Sequence, residues 1–357
     1  MIRLKHSKRI LIAPLNWGLG HATRCIPIIN ELLHQNCEVL LASDGRALNL
    51  LKKEFPTLPH FKLPSYDIHY PTKSMILNLA YQGPKIIQTI WQEKKVIEKL
   101  IETEQIDIIL SDNRFGCYSK KIKSIFITHQ INIKTPISFF DQFIAIINHY
   151  LIKKFDECWI PDFENNPNLA GSLAHKTNLK NIKYIGSLSR MTSFERKKKY
   201  DVIAVLSGPE PQRTYLEKAI IEQSENLNSK ILIVQGKTES KAKIYQIGDI
   251  DIIPFLTTKE LNDAIMASEI VICRSGYSSI MDLVNLKSKA LLIPTQDQTE
   301  QEYLAERLYL NGTFYYQNQK EFDLKIGLEK AKKFNGFNQT FIQEKLLLEA
   351  IENLLYQ

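Results

Sequence analysis

Residues 270–302, IVICRSGYSSIMDLVNLKSKALLIPTQDQTEQE, decide the fold. Ile270, Val271, Ile272 and Cys273 have the length and β-branched content of a buried strand. They stop at Arg274-Ser275-Gly276, after which Ile280, Leu283 and Val284 recur at helical spacing behind Ser278 and Ser279. A second apolar run, 290–293, ends at Pro294 and gives way to acids and amides. The order is strand, small-residue loop, helix, strand, polar loop. A helix N-terminus beside an arginine is a ready anion site, which points to a phosphate-bearing substrate.

The same alternation runs outward from this segment. In the first half, 10–15 reads as a buried strand, 16–21 as a loop, 22–35 as a helix, 38–43 as a strand and 46–55 as a helix. A looser, proline-containing region covers 56–84, followed by a helix over 85–104 and strands over 106–110 and 125–128. Short runs at 158–161 and 184–186 complete this half. Basic residues 196–199 mark a linker, and the pattern restarts with strand 202–206, loop 207–213 and helix 214–226. Strands at 230–234 and 250–254 and a helix at 259–267 lead back into the opening segment. The last helix, 339–355, follows a Phe334-Asn335-Gly336-Phe337-Asn338 break and is amphipathic enough to pack back on the first domain. Such alternation predicts an α/β chain with parallel sheets.

The bulk numbers set limits. A length of 357 residues suggests two domains. Forty-six basic against 39 acidic residues leave +7, which suits an anionic substrate or an acidic membrane surface. With no basic arm interleaved with aromatics, nucleic acid is not an expected partner. Cys25, Cys37, Cys117, Cys158 and Cys273 are scattered without a C-x-x-C pair, so structural zinc and a disulfide framework are not expected. No stretch reaches the ~18–20 apolar residues of a membrane span, and the apolar core behind the basic N-terminus is too short for a signal peptide. A cytoplasmic protein is expected.

Gly18-x-Gly20-His21 lies between a strand and a helix, but Thr23 stands where a dinucleotide fingerprint needs its third glycine. Asp44, ending the second strand, would suit a ribose in that reading. His21 is otherwise a surface residue of a plain turn, or a base kept neutral by the helix N-terminus. Asp112 and His129 end neighbouring strands, where open sheets place ligands and where turn caps also occur. Ser279-x-x-Asp282 and Thr299-x-x-Glu302 fit capping boxes. Capping explains neither Arg274 nor the cluster Gln298, Gln301 and Glu302, whose side chains suit sugar and ribose hydroxyls.

Cys273-Arg274-Ser275-Gly276, Asp282, Pro294-x-Gln296 and Gln301-Glu302 resemble, in order and spacing, the GT-B glycosyltransferases of the family 28 type. These are the enzymes like the lipid-linked N-acetylglucosaminyltransferase of peptidoglycan synthesis. Gly18-Leu19-Gly20-His21 resembles that family's first glycine-rich loop, and 186–190 its domain boundary. The resemblance implies two Rossmann-like domains facing across a cleft. They would be an acceptor domain over 1–187, a nucleotide-sugar domain over 188–336 and a returning C-terminal helix over 337–357. It implies transfer of a hexose or N-acetylhexosamine from a UDP-sugar to a glycan or lipid-linked hydroxyl acceptor, inverting and metal-independent, with no cofactor. The alternatives are a nucleotide-sugar hydrolase or epimerase of the same shape and a non-catalytic nucleotide-sugar-binding subunit.

Carried over by residue, His21 would be the base, with Asp112 as the other candidate. Gly18, Gly20 and His129 would lie on the acceptor side. Arg190 would contact the nucleotide, and Ser207, Gly208, Arg213, Arg274, Ser275, Gly276 and Ser278 the diphosphate region. Asp282 would hold the ribose, and Gln298, Gln301 and Glu302 the sugar. The loop Ser207-Gly208-Pro209-Glu210-Pro211-Gln212-Arg213 departs from the family: two prolines remove donors and Glu210 opposes a diphosphate, with Arg213 placed to compensate. Residues 137–155, aromatic-rich and basic at their end, read either as a core-facing helix or as a peripheral contact with the inner face of the cell membrane.

Overall fold

The computed structural model describes residues 7–66, 75–135, 139, 141–225, 227–237, 244–337 and 344–356, the side chains of 75–81 and 344 excepted. The chain divides into two units, Met1–Leu188 with Ile342–Gln357, and Ser189–Phe341.

The first unit runs β1 (Arg9–Pro14), α1 (Gly20–His34), β2 (Glu38–Ser43), α2 (Gly45–Glu54), β3 (His60–Lys62), α3 (Met75–Glu104), β4 (Ile108–Asp112) and β5 (Lys123–Ile127). It continues through α4 (Asp141–Ile152), β6 (Glu157–Ile160) and β7 (Ile182–Tyr184). The sheet order is β3-β2-β1-β4-β5-β6-β7, and every pairing is parallel. Ile10, Leu11, Ile12 and Ala13 are fully buried because β1 is covered on both faces, which is why it reads as an unbroken apolar run.

The second unit runs β8 (Tyr200–Val205), α5 (Gln212–Ser224), β9 (Ile231–Val234), β10 (Tyr245–Ile247), β11 (Ile250–Ile253), α6 (Thr258–Met266) and β12 (Ser268–Cys273). Then come α7 (Tyr277–Leu286), β13 (Lys289–Leu292), α8 (Thr299–Leu310), β14 (Tyr315–Tyr316) and α9 (Leu324–Ala331). Its sheet order is β10-β11-β9-β8-β12-β13-β14, parallel except for β10 against β11. Val202, Ala204, Ile231, Ile233, Ile270, Ile272 and Leu291 form its core with α5 and α9. Each fully buried aliphatic side chain of this kind contributes about 1.5–3 kcal/mol.

Each sheet changes direction once, at β1/β4 and at β8/β12. Loops following those strands flank a topological switch point, the preferred ligand position of an open α/β sheet. The tenth helix, α10 (Glu344–Tyr356), packs against α1. The start expected for it at 339 lies outside the described residues.

Several expectations need correction. The region 56–84 contains β3, and α3 begins at Met75 and continues past Pro84, ten residues before the expected start at 85. Helix α4 is not core-facing: Phe143, Ile146 and Tyr150 are each more than 60% exposed, and Asn148 and Ile152 are its buried residues. No described helix is long and apolar enough to cross a membrane.

Candidate functional site

In the first unit, parallel pairing of β1 with β4 sets Pro14 beside Asp112. The chain leaves β1 through Gly18, whose φ of +76° a side chain would strain, and enters α1 at Gly20. That turn brings His21 Nδ1 to 2.7 Å from Asp112 Oδ1. Asp112 is fully buried and also takes Arg24, one helical turn beyond His21. Arg24 Nε donates to Oδ2 at 2.5 Å and Nη2 donates to Oδ1. Arg24 Nη1 donates to His129 Nδ1 at 2.9 Å, so His129 joins the same cluster.

The partners assign the His21 tautomer. Asp112 only accepts, so Nδ1–H donates to it; Arg24 Nη2, 2.9 Å from the same nitrogen, spends its hydrogen on the carboxylate. Nε2 is then the basic nitrogen, on a side chain 14% exposed. Burial first and the Arg24 charge second bring His21 below its usual pKa, against the pull of Asp112. Burial, more than the helix N-terminus, therefore keeps this imidazole neutral. Asp112 is held at about 2, because Arg24 and His21 together overcome the cost of burying its charge. A neutral imidazole backed by an ionised carboxylate can accept a proton from a hydroxyl.

Arg24 was not among the sequence candidates. Its signal was a cation at i+3 from His21 on the face carrying Cys25 and Ile29, where a charge must find a buried partner. A second buried arginine, Arg114, answers the dinucleotide reading. It pairs with Asp44, and with Glu93 at 2.6 Å, while Asn16 Nδ2 donates to Asp44 at 3.0 Å. Asp44 thus fixes the β1–α1 loop from beneath, and at 3% exposure it offers nothing to a ribose.

In the second unit, the loops after β8 and β12 meet at the other switch point. Arg274 points inward and is 1% exposed. Its Nη1 donates to Ile293 O at 3.1 Å and Nη2 to Gln212 O at 2.9 Å, which ties three loops together. That leaves Nε alone for a ligand. Ser275 is also buried, and its hydroxyl donates to Gln301 O at 2.7 Å. Gly276 is the N-cap of α7, whose first turn holds no acidic residue. Ser278 lies in that turn. Ser207 and Gly208 follow β8, with Gly208 at φ +98°. Arg213 is bound to Glu210 and to Gly236 O.

Asp282 is not part of a capping box, since α7 begins five residues before it. Its Oδ1 accepts from Ser189 Oγ at 2.6 Å, and its pKa rises to about 6 because burial outweighs Arg190 and Ser189. Arg190 Nη1 donates to Thr258 Oγ1 at 2.7 Å. Thr299-x-x-Glu302 is likewise displaced: Gln298 is the N-cap of α8, and Glu302 Oε1 accepts from Asp297 N at 3.1 Å. Gln301 Oε1 accepts from Thr295 N at 2.8 Å and its Nε2 donates to Gln298 Oε1. Glu302, with Gln296, Asp297, Asn318 and Gln319, lines a hollow of about 260 Å³ rich in amide and acid groups.

His21, Asp112 and His129 are thus brought together in one unit with Gly18 and Gly20 at its edge. The remaining candidates gather at the second unit's switch point and along α7 and α8.

Known proteins resemble this chain in sequence or in fold. Residues 202–346 match the glycosyltransferase family 28 C-terminal domain. An uncharacterized glycosyltransferase of Methanosarcina mazei is 22% identical over 326 residues, covering 82% of this chain and 81% of its own. Among solved structures, the glycotransferase of kitacinnamycin superposes with a TM-score of 0.67 at 12% identity, covering 98% of this chain and 99% of that one. MurG of Acinetobacter baumannii superposes at 0.55 with 13% identity, over 98% and 95%. At these identities the structural likeness concerns the fold. Residues 202–346 accordingly match the glycosyltransferase family 28 C-terminal domain, and the chain has the GT-B fold of the glycosyltransferases it is similar to.

Proposed function

We propose that the chain transfers a hexose or N-acetylhexosamine from a UDP-sugar to a hydroxyl acceptor, with inversion and without a metal. The observation that carries this reading is the His21–Asp112 pair at the first unit's switch point, with imidazole Nε2 left basic. Nε2 takes the proton of the acceptor hydroxyl, the oxygen attacks the anomeric carbon, and the nucleoside diphosphate departs from the opposite face. The α7 N-terminus and Arg274 Nε meet the charge growing on the diphosphate. Asp282 and Arg190 hold the nucleoside end, and Glu302 with its neighbours in the hollow holds the sugar.

A panel of nucleotide sugars, scored for UDP release with and without glycan and lipid-linked acceptors, tests the reading. One donor should release UDP only when its acceptor is present. Equal release into water would make the protein a hydrolase, and no release from any donor would leave a binding subunit.

The exposed apolar face of α4 supports a peripheral membrane contact as part of the same reading. Phe143, Ile146, Ile147 and Tyr150 lie at i, i+3, i+4 and i+7 with Lys153 and Lys154 beyond them, a pairing of apolar and basic groups suited to an anionic bilayer. This would hold a cytoplasmic enzyme at the inner face of the membrane, near a lipid-linked acceptor. The protein is expected to float with phosphatidylglycerol vesicles, and a Phe143→Ser/Ile146→Ser double variant to bind at least about tenfold more weakly. No association of the parent protein with such vesicles would remove the membrane from the reading.

A further inference from the structure

The loop that departs from the family pattern holds an anion of its own. Glu210 precedes α5, and its carboxylate accepts from Arg213 Nε at 3.0 Å and from Arg213 Nη2 at 2.6 Å. The other oxygen accepts from Thr214 N at 3.2 Å and Thr214 Oγ1 at 2.8 Å. A guanidinium fork, a helix N–H and a hydroxyl are the donors by which proteins grip a phosphate. Two further first-turn N–H groups are satisfied inside the loop: Arg213 N by Pro209 O and Tyr215 N by Pro211 O. Arg213 Nη1 goes to Gly236 O. While Glu210 stays in place, the N-terminus of α5 therefore keeps its guanidinium fork, the Thr214 N–H and the Thr214 hydroxyl engaged, and of its first-turn N–H groups only Gln212 N is left over.

A second observation says that an anion belongs at this loop. Arg274 Nε and Thr295 Oγ1 are buried without a hydrogen-bond partner, on side chains 1% and 2% exposed. Both converge on Gly208: a Cβ built there would lie 3.4 Å from Thr295 Oγ1 and 4.0 Å from Arg274 Nε. Two orphaned buried donors beside a glycine at φ +98°, a backbone conformation that a side chain would strain, are the groups an oxygen anion would satisfy.

We propose that Glu210 is a built-in competitor for the donor's diphosphate. It occupies the α5 donors next to the Gly208–Arg274–Thr295 cradle, and it yields Arg213 only when a nucleoside diphosphate displaces it. The inference rests on the nucleotide-sugar reading and adds a control on donor affinity to it. Glu210 is 46% exposed, so it can swing outward without unpacking the core.

The test is calorimetric titration of the full chain with UDP, and with uridine as the probe lacking phosphate. Glu210→Gln should bind UDP about 3- to 30-fold more tightly than the parent, the range expected for removing one part-screened charge beside a diphosphate. Uridine binding should be unchanged, and the gain should shrink as salt is raised. Glu210→Ser, which is small, polar and uncharged, should behave alike and guards against a folding defect of the first variant. Parent and variants binding UDP equally, or an equal gain for uridine, would overturn the competitor while leaving the donor reading intact. Failure of every protein to bind UDP would overturn both.

Discussion

His21→Ala is expected to lower turnover by about 10²- to 10⁴-fold, the usual contribution of a positioned general base. UDP binding should stay within about twofold of the parent, because none of the second unit's groups is touched. The split follows from where the residues sit. His21 is joined to Asp112 and lies beside Arg24, all within the first unit, whereas the family 28 C-terminal domain over 202–346 is the expected home of the nucleotide. The measurement is single-turnover UDP release beside a UDP dissociation constant. Parent activity should also fall on acidification, with its inflection below the usual imidazole value of 6.5, because burial and Arg24 both disfavour the imidazolium. Turnover unchanged in His21→Ala would remove His21 from the mechanism.

Fold class was legible because β1, β4, β8 and β12 are buried on both faces and must be written as apolar runs, each closed by a small or polar loop. Strands β3, β10 and β14 escaped notice for the opposite reason. They are two or three residues long and sit at sheet edges with half-exposed or exposed side chains, so no apolar run marks them. The site was half legible. Its small-residue loops and His21 announced themselves by type and position, but direction is a tertiary property. Arg274 at a strand end reads as a phosphate contact, yet two of its three nitrogens turn inward to main-chain carbonyls. Asp282 reads as a helix cap, yet Ser189, ninety-three residues away in sequence, holds it. Arg24 and Arg114 needed the most structure, because a buried arginine is intelligible only once its carboxylate is known to lie across the sheet.

Arg24→Met should separate the two roles of that arginine. Arg24 and Asp112 are both buried, and removing one partner of a buried ion pair costs about 3–5 kcal/mol. The loss should depend on pH. In the parent, Asp112 at about 2 contributes stability that is present above the unfolded value of about 3.8 and lost only as the pH falls through about 2. Without Arg24, the cation best placed for the buried carboxylate is a protonated His21, 2.7 Å away. The His21 pKa therefore rises. A group raised in this way lends stability that is full below its unfolded pKa and vanishes as the pH climbs through the folded one. The melting-temperature gap between parent and Arg24→Met should widen from pH 6 to pH 9. Activity should move oppositely, because the base works only when neutral: the variant should be most impaired at pH 6 and recover part of its rate at pH 9. Arg24→Lys, which keeps the charge, should restore the parent's pH profile more fully than its rate. A stability gap and an activity gap that change with pH in the same direction would show that Arg24 only supports the fold and does not set the protonation of His21.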